Sequence, residues 1–367
     1  MSLEKQAPKN ENPRQSPKDV LANLKAYYNN EDILRSIEQH VDFANETAFF
    51  NSLKIFLNDF EDTRIIDMLF NSSIKGIAEE MDLYKRAEQG IIKTVDRPLF
   101  LINNNQIDIP ITTSWTKHIE ENWTKISKGI PAVGRIEITG HDRMPWAGTG
   151  WLLKNTDIIV TNRHVANHFA SQTEKGVFQI KDSSRRRPLG VKIDFKKEHD
   201  TNVELQFDVK EVIHITKKTE LDIALLRVET QNYNGHKLPE GLELSYDPPT
   251  LEEKIYVVGY PACNQNEDLK NNFFNGISGV KQFSPGTFFR TCVSDYIYKH
   301  DCTTWGGNSG SPLLDFKSGK VLGIHYAGTS EGYTGFRANY AVSVLYLIAL
   351  LEELGEKYTY ELHPEKE

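Results

Sequence analysis

Ser309 stands in the run Thr303-Thr304-Trp305-Gly306-Gly307-Asn308-Ser309-Gly310-Ser311-Pro312-Leu313-Leu314, a glycine-rich loop that ends in a proline and an apolar stretch. That ending constrains the fold more than any other segment. A nucleophile elbow on an α/β sheet needs Gly-x-Ser-x-Gly with a helix directly after it, whereas here position 311 is serine and Pro312-Leu313-Leu314 reads as the start of a strand. The α/β-hydrolase architecture is thereby disfavoured. The loop itself offers what acyl transfer asks of a nucleophile: a hydroxyl between glycines, and at Gly307 and Ser309 two backbone N–H groups able to face a developing oxyanion. Taken alone, it reads equally as a flexible, turn-rich connection.

Two further stretches decide between these readings. Thr161-Asn162-Arg163-His164-Val165-Ala166 follows the apolar run Ile158-Ile159-Val160, and Glu220-Leu221-Asp222-Ile223-Ala224-Leu225-Leu226 opens another. A serine hydroxyl needs a general base, and the base works best when a buried carboxylate fixes its tautomer. His164, Asp222 and Ser309 supply the three residue types, in the chain order His, Asp, Ser.

With Gly148-Thr149-Gly150-Trp151 and Gly323-Ile324-His325-Tyr326-Ala327-Gly328, these segments resemble the trypsin-like, chymotrypsin-fold serine peptidases, closest to the bacterial branch that includes the glutamyl endopeptidases. The resemblance covers roughly residues 131–355. It implies a mainly β fold of two antiparallel six-stranded barrels with a closing C-terminal helix. It also implies a catalytic set of His164, Asp222 and Ser309, an oxyanion hole at Gly307 and Ser309, and no cofactor or metal. In the family, a carboxylate six residues before the nucleophile selects basic substrates; here that residue is Thr303, so a trypsin-like preference is not expected. Thr304 and His325 match residues with which glutamyl endopeptidases bind a substrate carboxylate, and Tyr326 to Gly328 match the backbone that pairs with extended substrate. Trp305 departs from the small residue usual there, and a satisfied core histidine is an equal reading of His325. Asn308 carries no charge to hold a new amino terminus, which disfavours trypsinogen-style activation.

The charge, 43 basic against 51 acidic residues for a net −8, gives no pull toward nucleic acid or anionic membrane. No stretch reaches the ~20 apolar residues of a membrane span, and Met1 to Lys18 lacks the apolar core of a signal peptide, so a cytoplasmic location is expected. Cys263, Cys292 and Cys302 suit a reducing compartment better than a disulfide framework. A metal site at Cys292, His300 and Cys302 fits no familiar zinc spacing.

Along the chain, residues 1–15 read as a disordered tail and 16–89 as four or five short helices, with apolar positions such as Leu21, Leu24, Phe56, Phe60, Ile74 and Ile77 at helical spacing. Residues 90–130 read as a connector, 131–356 as the peptidase domain with barrels at about 131–230 and 251–345, and 357–367 as a tail. The helical module has no part in forming a chymotrypsin-type cleft. It is therefore expected to bind an activator or to self-associate, and so to control cleavage of a protein or peptide substrate; a purely structural prefix is the bland reading. In bacteria, similar combinations accompany stress or anti-phage defence. The rival readings are a catalytically silent scaffold that binds partners, and an esterase or transferase built on the same acyl-enzyme.

Overall fold

The computed structural model describes residues 97–109, 113–184, 186–262, 277–291, 296–328 and 339–356. The expected helical module, both tails, Cys263 and Cys292 lie outside the described residues.

Two short strands, β1 (Phe100–Asn103) and β2 (Gln106–Ile107), form a hairpin whose turn, Asn104-Asn105, takes positive φ at both residues, 49° and 61°. That is the two-residue geometry that matches strand twist and that asparagine tolerates. Helix α1 (Thr116–Gly129) follows and buries Ile119 and Ile126. Trp115, just before it, is buried and stacks on Phe316 with ring centroids 5.9 Å apart.

Barrel one is built from β3 (Val133–Thr139), β4 (Trp146–Leu152), β5 (Ile158–Thr161), β8 (Gly190–Asp194), β9 (Gln206–Ile215) and β10 (Ala224–Val228). These six strands close as β10-β5-β4-β3-β8-β9. The one-turn helix α2 (Arg163–Ala166) follows β5, and β6 (Ala170–Gln172) pairs with β7 (Phe178–Ile180) as a side hairpin that the sequence did not announce. Alternation drives the closure: on β3, Ile136 and Ile138 face in while Arg135 and Glu137, on the other face, are half-buried. The inward set packs Ile136, Ile159, Ile193, Phe207 and Leu226 into one core.

Barrel two takes β11 (Lys254–Gly259), β12 (Gln282–Thr291), β13 (Ile297–His300), β14 (Pro312–Asp315), β15 (Val321–Gly328) and β16 (Asn339–Ser343). Their order is β11-β14-β15-β16-β13-β12, and pairing of β12 with β11 closes the ring. Strand β13 is the one member not legible in the sequence. It pairs with β12 and β16, and it brings His300 opposite Asn339. The last helix, α3 (Val344–Leu354), begins at Ser343, whose hydroxyl accepts from Leu345 N–H, and stops at Gly355 with φ 67°. Its Leu347 and Leu351 join the cluster containing Trp115, Tyr256, Phe283 and Phe316. Among the described residues no helix is long and apolar enough to cross a membrane.

The elements before β3 are fastened at Lys281. Its ammonium is fully buried and donates to the carbonyls of Phe195 (2.7 Å) and Ile130 (3.1 Å) and to Glu198 Oε1 (3.4 Å). Its backbone joins Ile102 of β1 to Lys197 of the turn after β8. Burial pulls the amine down to about 8, with Glu198 pulling the other way. Replacing Lys281 with methionine leaves the buried Glu198 Oε1 without its cation, with Lys196 and Asn105 N–H both on Oε2, and removes the donor to two carbonyls. The expected loss is about 3–5 kcal/mol of unfolding free energy, the usual cost of breaking a buried pair from one side, read from urea denaturation. A loss under 1 kcal/mol, on the order of an exposed pair, would show that the cluster fastens nothing.

Candidate active site

His164 rides on α2 directly after β5, and Asp222 sits in the turn before β10. Strands β5 and β10 are neighbours, with Thr161 opposite Ala224, so barrel closure alone brings the two residues together. Asp222 Oδ2 lies 2.6 Å from His164 Nδ1, and Oδ1 accepts the backbone N–H of His164 at 3.1 Å. The carboxylate is fully buried. Burial would raise its pKa, but His164, the nearby Arg163 and the backbone N–H outweigh this and hold it below the usual carboxylate value. An ionised Asp222 therefore fixes the Nδ1–H tautomer of His164, leaving Nε2 to take a proton.

Arg163 is the member of this group whose role the sequence did not reveal. The residue is only 5% exposed, and its guanidinium donates to the carbonyls of Lys217, Glu220 and Leu221 and to Thr216 Oγ1. Those contacts tie the loop carrying Asp222 to the helix carrying His164. An arginine directly before the histidine, in the short turn after an apolar strand, was the available signal.

Ser309 is half-buried in the loop between β13 and β14. The loop is fastened to barrel one through β4. Thr149 N–H donates to Ser309 C=O (2.9 Å), Thr149 Oγ1 donates to Gly307 C=O (2.8 Å), and Thr161 Oγ1 donates to Thr149 C=O (2.7 Å). Gly148 shows how close the parts come: a Cβ there would lie 2.9 Å from Val165 and 3.0 Å from Ser309 C=O. The residue after His164 and the candidate nucleophile thus converge on one glycine.

The peptide between Gly306 and Gly307 is oriented by Ala262 N–H, which donates to Gly306 C=O at 2.6 Å. In a trans peptide the N–H points opposite to the carbonyl. Gly307, at φ 90°, therefore turns its amide away from Ala262, and neither it nor Ser309 N–H donates to a backbone carbonyl among the described residues. Two amides two residues apart without backbone acceptors are an anion-binding arrangement.

Below this loop, Thr304 is buried and its Oγ1 has no partner among the described residues. His325 is also buried, and its Nδ1 lies 3.2 Å from Nε2 of the fully buried His300. Burial lowers both imidazoles, His300 to about 3 and His325 well below its ordinary value, with His300 and His164 adding to the effect at His325. Both rings are neutral near pH 7. Tyr326 and Gly328 follow on β15, past the point where the register with β14 ends at Pro312 opposite Ile324. Among the described strands only β16 pairs with Ala327 and Gly328. Their other edge pairs with no other described strand. His300 escaped the sequence reading as a pocket residue because only strand register places it beside His325.

Among the described residues no group of His, Cys, Asp and Glu is arranged to hold a metal. Cys302 is a buried free thiol, and burial, then Asp301, pushes its pKa up, so it is not a competing nucleophile.

Residues 148–324 match the trypsin-like peptidase domain family. A Lysobacter enzymogenes protein described as a probable serine protease is 27% identical over 318 residues, covering 76% of this chain and 79% of that one. The glutamyl endopeptidase of Staphylococcus epidermidis is 28% identical over 190 residues, covering 51% of this chain and 56% of its own length. Among solved structures, an inactive form of Rv3671c from M. tuberculosis is 17% identical, with a TM-score of 0.43 over 69% of this chain and 100% of that one.

Proposed function

Because this chain carries a trypsin-like peptidase domain and is a serine endopeptidase, we propose that Ser309 is its nucleophile, His164 its general base and Asp222 the group that orients the base. Ser309 Oγ attacks the peptide carbonyl as His164 Nε2 takes its proton, and the N–H groups of Gly307 and Ser309 receive the oxyanion. His164 then protonates the leaving amine, and water repeats the cycle on the acyl-enzyme. The observation that carries this reading is the 2.6 Å contact between His164 Nδ1 and a buried, ionised Asp222, beside a serine loop fastened to the same barrel.

The preferred substrates have glutamate or aspartate before the scissile bond. A neutral imidazole has one N–H, and burying an unpartnered N–H costs more than burying an unpartnered lone pair. His300 Nδ1 is buried without a partner among the described residues, so the proton of His300 belongs on Nε2, donating to His325 Nδ1. His325 then carries its own proton on Nε2. With Thr304 Oγ1 it presents two donors and no acceptor charge, which suits a carboxylate. The glutamyl endopeptidase among the relatives is consistent with this chemistry.

The test is digestion of a diverse peptide library, with cut sites mapped by mass spectrometry. Cuts after Glu and Asp support the pocket, and cuts mainly after basic or aromatic residues overturn it while leaving the peptidase reading intact. Thr304→Val removes one hydrogen bond to a charged group, worth at least about 1.5 kcal/mol, so kcat/KM for glutamyl peptides should fall about tenfold. Hydrolysis of a small activated ester that does not fill the pocket should not change.

The chain's net charge of −8 gives no pull toward nucleic acid or anionic membrane, and an intracellular enzyme acting on proteins is the reading it suits. Residues 16–89 are the proposed site of an activator or of self-association. Deleting them and repeating the digestion distinguishes an inhibitory module, whose loss raises activity, from a required one.

A further inference from the structure

The structure assigns to Arg97 the role of a positioning residue for the substrate pocket, holding the Asp301–Thr304 wall from outside the two barrels. This rests on the pocket proposed above at Thr304 and His325. Residues 301–304 have no regular secondary structure, yet all four are buried. They run directly from His300, the partner of His325, to the loop of Ser309.

Arg97 grips alternate residues of this wall. Its Nη2 lies 2.5 Å from Asp301 Oδ2 and 3.3 Å from Thr287 Oγ1, and its carbonyl accepts from Thr303 Oγ1 at 2.7 Å. Asp301 Oδ1 also accepts Thr287 N–H at 2.7 Å, which ties the grip to β12. The intervening Cys302 is held separately, its carbonyl accepting from Asn339 Nδ2. Arg97 is itself seated with its guanidinium 5.3 Å from the centre of the Trp115 ring, and its side chain is 14% exposed.

Two features separate this from ordinary packing. Arg97 precedes every strand of both barrels, so neither ring of six strands includes it. The group it neutralises is a carboxylate with 1% side-chain exposure. A buried charge stripped of its partner does not stay in place; it moves toward water. That movement takes Asp301 away from Thr287 and pulls on Thr303, whose hydroxyl donates to the Arg97 carbonyl, and Thr304 lies next in the chain. Seating of Arg97 therefore sets whether the pocket donors are in register, while the His164–Asp222 contact, made wholly within barrel one, is untouched. Any event on the chain before Arg97 that shifts this residue acts on substrate affinity ahead of chemistry.

The experiment compares wild type, Arg97→Ala and Arg97→Lys on whichever peptide the wild type cuts best, so that an error in the acidic preference does not affect it. A small fluorophosphonate that labels the nucleophile without filling the pocket is run in parallel. Hydrogen exchange of the 301–305 amides is measured in all three proteins whether or not they cleave. For Arg97→Ala the expected result is a KM raised about tenfold or more, labelling within twofold of wild type, and faster exchange confined to 301–305 and its neighbours. Arg97→Lys, which keeps the charge, should recover part of the KM loss. Unchanged exchange in Arg97→Ala would overturn the assignment. So would labelling and cleavage falling together with exchange rising throughout the barrels, which would mark Arg97 as a general stabiliser.

Discussion

Replacing Ser309 with alanine should lower kcat by about a millionfold, the scale reached when the nucleophile of a triad is removed. The fold should not notice. Ser309 is fastened through its backbone, with Thr149 N–H donating to its carbonyl at 2.9 Å, and alanine keeps that bond. The melting temperature should therefore stay within a degree or two of wild type, as expected of a substitution that disturbs no packing. His164→Ala should cost about as much, and the double variant no more than either, because the two residues act as one unit. Residual hydrolysis about 10³-fold above water would come from the oxyanion amides alone. Single-turnover kinetics on purified proteins, with fluorophosphonate labelling as a second readout, measure all of this. If Ser309→Ala retained more than about one per cent of wild-type cleavage, the acyl-enzyme reading would be wrong, since no triad enzyme loses so little with its nucleophile. A wild type that neither cleaves nor labels would favour the scaffold reading instead.

How far the site could be read before the fold was known depends on how each residue reaches it. His164, Asp222 and Ser309, the proposed triad, stood out in the sequence because each lies in a local run of telling composition. A polar turn closes an apolar strand at His164, a carboxylate opens one at Asp222, and Ser309 stands among glycines. Most barrel strands were legible for the same reason, as short apolar runs between turn residues. Strand β13 was not. Ile297-Tyr298-Lys299-His300 is only four residues long and carries Lys and His, so neither length nor polarity set it apart from a loop. Missing it hid His300, whose meaning comes entirely from lying beside His325 in the closed barrel. The contact of Arg97 with Asp301 spans 204 positions of sequence, and no periodicity carries information over that distance. Arg163 sat inside a recognised motif, but its four acceptors belong to the loop around Asp222 and appear only once β5 and β10 are paired. Local chemistry was readable, whereas tertiary support was not.

The subtlest of the expected effects is also the second largest. Asp222→Asn keeps size and shape and should still lower kcat about 10⁴-fold. The carboxylate offers two acceptors, and both are in use: Oδ2 faces His164 Nδ1 and Oδ1 takes His164 N–H. Asparagine offers one oxygen and one NH₂. If the oxygen keeps the backbone N–H, the NH₂ faces Nδ1, the proton of His164 moves to Nε2, and the base can no longer accept from Ser309. If the amide turns over, its NH₂ meets the backbone N–H, with Arg163 Nε at the same oxygen's position, 3.9 Å away. The first arrangement is the less costly, so the variant folds around the wrong tautomer. KM should move little, because Thr304 and His325 lie in the other barrel. The same substitution also changes the acid limb of stability. In the wild type the folded pKa of Asp222 lies below the value of about 3.9 for an unfolded aspartate, so its contribution is fully present above that value and is lost as pH falls through the lower, folded one. Asp222→Asn has no such group, and its stability should decline less steeply below about pH 4. A variant losing less than about tenfold in kcat would mean that His164 does not depend on Asp222 for its tautomer. Unaltered acid dependence alongside a full loss of kcat would keep the orienting role and remove only the electrostatic account of how Asp222 stays ionised.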